Sequence, residues 1–294
     1  MNLNTLPPIT VLSNNITIVE VDQVKIIRVI HDKATAGIAL HGGHLVSYKP
    51  TGQKDLIWMS ERAIFDGKTA LRGGIPVCWP WFGRIASPSH GFARTTEWSL
   101  LQHRENDNGV VIELGLSPSE KSLEIWPFQF DARLIIEVGE ELSLTLSVSN
   151  TDIKPWRFSA ALHSYLNVSD VRDAIITGVG SEYMDNLQNQ TRCADHDPLQ
   201  LTDTIDRVYT HPNQQICLKD AGYNRELVIE NQGHNSAVLW NPWQQGSSDL
   251  NDMADHGYLT MMCIESSLHA SSLEQGKELQ PGETHQLSTK ISIN

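Results

Sequence analysis

The chain has 294 residues, of which 40% are hydrophobic and 19% charged, with a formal net charge of −13. That composition supports a sizeable buried core and lacks the basic footprint a non-specific nucleic-acid binder needs to displace phosphate counterions. There is no apolar run of about 18 residues to span a membrane, and the N-terminus has no basic region followed by an apolar one. Four well-separated cysteines, Cys78, Cys193, Cys217 and Cys263, form no C-x-x-C pair and read as reduced thiols of a cytoplasmic protein.

In chain order the signal is β throughout. "NITIVEVDQVKIIRVIHD" is rich in β-branched residues, and "TAGIALHGGHLVSYKP" reads as two strands around a Gly42-Gly43 turn. "SPSEKSLEIW" predicts one or two helical turns capped by Ser117 or Ser119. "FDARLIIEVGEELSLTLSVSNTD" predicts a hairpin turning at Gly139-Glu140-Glu141. Further strands are expected at "RFSAALHSYLNV", "DAIITGV", "QICLKD", "RELVIEN", "SAVLW", "YLTMMCIESS" and "HQLSTKISI", with a tight turn at Pro281-Gly282. Continuous runs that are apolar on both faces, such as "YLTMMCI", suggest strands buried on both sides. With no linker, charge block or repeat, the expectation is an all-β sandwich, one domain over 1–294.

Three stretches could carry chemistry. Read as one strand, "RFSAALHSYLNV" puts Ser159, Ala161, His163, Tyr165 and Asn167 on one face, so His163 stands among small and hydrogen-bonding residues with room for a ligand. The alternative is a core histidine satisfied by a hydrogen bond. In "YLTMMCIESS", Glu265 shares a face with Leu259, Met261, Cys263 and Ser267, and a carboxylate among such neighbours should have a raised pKa, as a general base near neutrality requires. The alternative is a strand-end glutamate reaching water or a cation. The third stretch, "RGGIPVCWPWFGRIASPSHGFAR", combines Arg72, Arg84 and Arg94 with stiffening prolines and two tryptophans. Arginine forks suit carboxylates and phosphates, and tryptophan faces suit sugar rings. The competing reading is a packed loop with salt-bridged arginines. "HGGH" (His41, His44) has metal-ligand spacing without a partner, and Asp195-His196-Asp197 lacks a calcium-loop pattern and reads as solvated loop. No phosphate-loop, dinucleotide or nucleophile-elbow signature occurs.

Taken together, "LRGGIPVCWPWFG", "HGFAR", "LHSYLNV", "DRVY", "VLWNPW" and "CIESS", in that order, resemble the hexose-6-phosphate mutarotases (glucose-6-phosphate 1-epimerases), a branch of the galactose-mutarotase-like aldose 1-epimerases. The resemblance implies a large antiparallel β-supersandwich with few short helices. It implies His163 and Glu265 as the catalytic pair, Glu265 as general base and His163, as imidazolium, the general acid. It also implies that Arg72 and Arg94 hold the substrate's phosphate, that Asp206 binds sugar hydroxyls, and that His90 lies beside the anomeric carbon. No metal or organic cofactor is required. The expected partner is a phosphorylated hexose, with no nucleic acid or membrane, and the chain is expected as a monomer. The connector "RIASPS" between "FG" and "HGFAR" is short and adds Arg84, which leaves open which arginines meet phosphate. A non-catalytic sugar-binding or regulatory protein, or a glycoside hydrolase or lyase, on the same fold are the rival readings.

Overall fold

The computed structural model describes residues 2–294 except Asp195, and its secondary structure is almost entirely strand. Three antiparallel sheets carry the architecture. The first is a five-stranded meander in chain order: Thr10–Val11, Ile16–Val21, Val24–Ile30, Ala34–Ala39 and His44–Pro50. Gly42 and Gly43, both with positive φ, lie between its last two strands, as the doubled glycine suggests.

The second is a nine-stranded sheet with Arg225–Gln232, Thr284–Ile293, Leu142–Asn150, Phe130–Val138, Gly109–Leu116 and Ser99–Asn106 as consecutive neighbours. Its central hairpin shows why the sequence folds this way. Phe130–Val138 and Leu142–Asn150 bury every second residue, so one face is core and the other meets water. The register pairs Leu142 with Val138, leaving Gly139-Glu140-Glu141 as the turn.

The third sheet contains Glu182–Asp185, Ile205–Tyr209, Ser236–Asn241, Met261–Leu268, Ala160–Leu162 and Val77–Cys78 in that order, and Tyr165–Asn167 also pairs with Met261–Leu268. One of its faces packs Leu162, Leu166, Leu239, Met262 and Ile264 into the main core. Ser266 donates to the Ser288 carbonyl of the second sheet. The opposite face carries the site. Met261–Leu268 is therefore buried at all eight positions, the two-sided burial its continuous apolar run predicts.

Helices are few and short. Glu120–Ile125 starts at Ser119, whose hydroxyl accepts from Ser122 N at 3.2 Å while Ser122 Oγ accepts from Ser119 N at 2.8 Å, a reciprocal cap. Of the two predicted caps, Ser119 is the one used. Among the described residues no helix is long and apolar enough to cross a membrane.

Two expectations need correction. "RFSAALHSYLNV" is not one strand: it is broken into Trp156–Phe158, Ala160–Leu162 and Tyr165–Asn167, the first pairing with Lys277–Leu279 in a separate ribbon. "YLTMMCIESS" enters its sheet only at Met261, because Gly257–Thr260 is a 3-10 turn, so Leu259 does not share the Glu265 face.

Candidate active site

The strand break lies at His163 and Ser164. On either side of it the register is unchanged: Leu162 pairs with Ser266 and Tyr165 with Cys263. His163 consequently stands opposite Glu265. Its backbone N–H donates across the other edge to the Pro76 carbonyl at 3.1 Å. The two side chains meet, His163 Nε2 lying 3.3 Å from Glu265 Oε1. His163 is 9% exposed and Glu265 1%, so the glutamate is neither at a strand end nor in water. His163 Nδ1 and Glu265 Oε2 are buried with no hydrogen-bond partner among the described residues. Native structures rarely leave such atoms unsatisfied, and where they do a binding or catalytic role is one cause.

Neighbouring side chains fix the imidazole. Tyr165 stacks on it with ring centroids 4.8 Å apart and planes 9° from parallel, and Trp58 stacks on Tyr165 from the far side at 5.9 Å. Phe82, Trp240 and His90 surround it at 6.4, 6.2 and 6.0 Å. The Tyr165 hydroxyl accepts from Arg72 NH1 at 3.1 Å, and Arg72 Nε is held 3.1 Å from Asp252 Oδ1. Across the sheet, Asp206 pairs with Trp240 and Trp240 with Cys263, which puts Asp206 on the same face as Glu265. Its Oδ1 accepts from Asn186 at 2.8 Å.

His90 reaches the site from the loop side. It has φ +64, and Gly91 follows at φ +70, where a Cβ would sit 2.1 Å from the Trp79 carbonyl, so Gly91 is required by close approach. His90 Nδ1 accepts from Gly83 N at 3.4 Å, which places the neutral ring's proton on Nε2. Burial, with Arg94, Arg72 and Arg84 adding to it, lowers its pKa to about 3. Arg94 NH2 donates to the Ser89 carbonyl at 3.0 Å, while its Nε is buried without a partner among the described residues.

The pair's electrostatics follow from burial. Desolvation holds Glu265 well above the usual carboxylate range, with the charge of Asp206 adding to the shift. Desolvation holds His163 well below 6.5, with His90, Arg94 and Arg72 pushing the same way. The expected rise of the glutamate is present. Burial thus works against the charged form of both partners, the imidazolium expected of His163 included.

The tryptophans of "CWPW" are a further correction. Trp79 and Trp81 are 0% and 2% exposed and pack edge-on against Phe92, Phe130, Trp126 and Trp156. They offer no face to a sugar. The alternate residues Cys78 and Phe82 cluster instead with Ala161, Val208 and Val238 on the site face; period-two counting from Val77 would have separated the two sets. Tyr165 was legible as a neighbour of His163, whereas Asp252 had no sequence signal.

His163, Cys263 and Glu265 bring ligand atoms within 4.8 Å of one another, the right donor types for a soft cation. Burial, Glu265 first among the charges, holds the Cys263 thiol well above its ordinary value, and two arginines act on the same spot, so both proton and field oppose a metal there. "HGGH" is not a metal site either: His44 Nε2 donates to the Gly73 carbonyl at 2.7 Å and His41 Nε2 meets the Thr69 carbonyl at 2.9 Å. Of the acidic stretch at 195–197, Asp195 lies outside the described residues, and Asp197 accepts from Gly178 N at 2.9 Å. All four cysteines are free thiols.

The geometry is thus a buried imidazole–carboxyl pair with arginines around it, on one face of a large antiparallel sheet. A family model described as aldose 1-epimerase matches residues 25–292. The chain is 35% identical over 280 residues to a Salmonella typhimurium protein named "Putative glucose-6-phosphate 1-epimerase", covering 94% of each chain. It is 34% identical over 264 residues to a protein of the same name from Cenchrus ciliaris, covering 84% of this chain and 78% of that one. A crystal structure titled as a putative mutarotase from Salmonella typhimurium superposes with a TM-score of 0.93 at 33% identity, over 99% of this chain and 97% of that one. A galactose mutarotase related enzyme from Lactobacillus acidophilus, 15% identical, shares the fold at a TM-score of 0.72 over 92% of this chain and 97% of that one. The chain belongs to the aldose 1-epimerase family and is an isomerase of the epimerase type.

Proposed function

We propose that the protein interconverts the α and β anomers of hexose 6-phosphates, with glucose 6-phosphate the first candidate. The carrying observation is the His163–Glu265 pair at 3.3 Å, buried and aimed at one spot. Mutarotation needs a proton taken from the anomeric hydroxyl and one delivered to the ring oxygen, two atoms bonded to the same carbon. Glu265 is the base on the hydroxyl and His163 the acid on the ring oxygen. The open aldehyde turns about its bond to the neighbouring carbon, and reclosure on the other face reverses both transfers. Positioned acid–base groups contribute about 10²–10⁴-fold each, ample for a reaction that already proceeds in water.

These roles use the pair as carboxylate and imidazolium, and the substrate's charge favours that form. A phosphate near the arginines offsets the positive field that holds the His163 proton off, so one proton crosses from Glu265 to His163 as the site fills. Arg72 and Arg94 hold the phosphate, Asp206 accepts from sugar hydroxyls, and the neutral His90 offers Nε2–H beside the anomeric carbon. A hydrolase would need two carboxylates flanking the bond, whereas the partner Glu265 meets is an imidazole.

Freshly dissolved α-glucose 6-phosphate, followed by polarimetry with and without protein, tests the reading. Equilibration should accelerate in proportion to enzyme concentration. An unchanged rate would leave a sugar binder on this fold as the better account.

A further inference from the structure

A phosphate monoester brings about −1.5 to −2 charges at pH 7 into a site that already contains Asp206, Asp252 and Glu265. Arg72 cannot neutralise it alone. Its Nε is paired with Asp252 at 3.1 Å and NH1 is bonded to Tyr165, both ions being mostly buried. Arg94 has no carboxylate partner among the described residues, but NH2 is anchored on the Ser89 carbonyl. Arg84 is exposed, and no hydrogen bond or ion pair engages it among the described residues.

The backbone that bears it is nonetheless anchored. The connector from Gly83 to His90 closes on itself: His90 N donates to the Gly83 carbonyl at 2.8 Å, Gly83 N to His90 Nδ1 at 3.4 Å and Ser89 Oγ to the Gly83 carbonyl at 3.3 Å. Trp81 Nε1, in the core, donates to the Pro88 carbonyl at 2.7 Å and ties the loop down. Arg84 therefore leaves the chain one residue after the glycine that touches the His90 ring, and that ring lies 6.0 Å from His163. Its charge is felt by His90 on the loop wall and by Asp206 on the sheet wall. A cation on this loop, one residue from the glycine bonded to His90, suits a phosphate on the sugar carbon farthest from the anomeric centre.

We propose that Arg84 supplies a further cation of the phosphate subsite, acting with Arg94, and sets the preference for phosphorylated over free hexose. This rests on the hexose-phosphate reading above. An exposed, unpaired guanidinium has no internal partner to give up when the anion arrives, and its fork can meet two phosphate oxygens at once.

The test compares kcat/KM for glucose 6-phosphate and glucose in wild type, Arg84→Ala and Arg84→Lys, with inorganic phosphate as a competitive probe. Arg84→Ala should lower the ratio of the two kcat/KM values by about 10–100-fold, chiefly through KM for the phosphosugar, and weaken phosphate inhibition in step. Arg84→Lys should recover part of both, as a point charge without the fork. An unchanged ratio in Arg84→Ala beside a strong wild-type preference would overturn the role of Arg84 and leave the hexose-phosphate reading standing. Equal losses on both sugars would make the residue structural and also overturn it. A wild type that uses glucose as well as glucose 6-phosphate would remove the reading itself.

Discussion

His44 and His163 are both buried histidines whose pKa values burial lowers, and they serve opposite ends. In the five-stranded sheet, the His44 Nε2–H is satisfied by the Gly73 carbonyl at 2.7 Å, and its pKa stands at about 3. It is a neutral strut: Gly74 passes so close that a Cβ there would lie 2.3 Å from the ring, and the loop it holds presents Arg72. His163, in the site sheet, faces a carboxyl at 3.3 Å instead, while both rings keep Nδ1 buried without a partner among the described residues. Burial alone therefore does not distinguish a structural histidine from a reactive one. The partner does: a backbone carbonyl holds the His44 proton in one place, whereas a carboxyl can give a proton to, or take one from, the ring it meets.

The sharpest way to break that comparison is to remove each partner. Glu265→Gln or His163→Ala should cut the anomerisation rate by about 10²–10⁴-fold while thermal unfolding stays cooperative. Glu265→Gln should hold or raise the melting temperature, because it removes a buried ionisable group. Near wild-type turnover in either variant, measured by exchange NMR, would end the assignment.

At the strut the loss should appear in stability first. His44→Ala deletes a buried ring and leaves the Gly73 carbonyl unpaired, at a cost of about 2–4 kcal/mol in urea unfolding. The pH sign is also set. A histidine lowered from 6.5 to about 3 on folding contributes stability that is full above 6.5 and lost as pH falls toward 3. Wild type should therefore weaken on acidification from neutrality, and His44→Ala should lose less between pH 7 and 5 than wild type does. A steeper loss in the variant would contradict the neutral strut.

The smallest effect is the pH dependence of rate, best measured with glucose, whose lack of phosphate removes the substrate's own titration. With one shared proton as the working state, kcat/KM should be bell-shaped. The acid limb should lie below the ordinary histidine range and the alkaline limb above the ordinary carboxylate range, since burial moves His163 down and Glu265 up. An acid limb centred at or above 6.5 would contradict the lowering of His163 by burial.

Much of this could be read in the chain because strands write their faces in a period of two. The Phe130–Asn150 hairpin and the two-sided burial of Met261–Leu268 follow from the pattern alone. The break at His163 and Ser164 did not, because both flanks are good strand sequence and only the partner strands show where pairing lapses. Trp79 and Trp81 misled because residue type outweighed alternation. Asp252 was invisible, since its bond to Arg72 crosses 180 positions and no local pattern spans that distance.

The unchanged register around His163 separates what this protein can vary from what it cannot. A slip of one residue between the two strands would turn Glu265 to the opposite face and end the encounter with His163. Under the proposed roles the chemistry is inherited as a ladder position, intolerant of any insertion in Ala160–Leu162, Tyr165–Asn167 or Met261–Leu268. The Gly83–His90 loop carries no such constraint beyond its closing bonds. Its length and its one arginine can drift independently of the ladder, so a descendant could change the sugar it accepts while the reaction it runs stays the same.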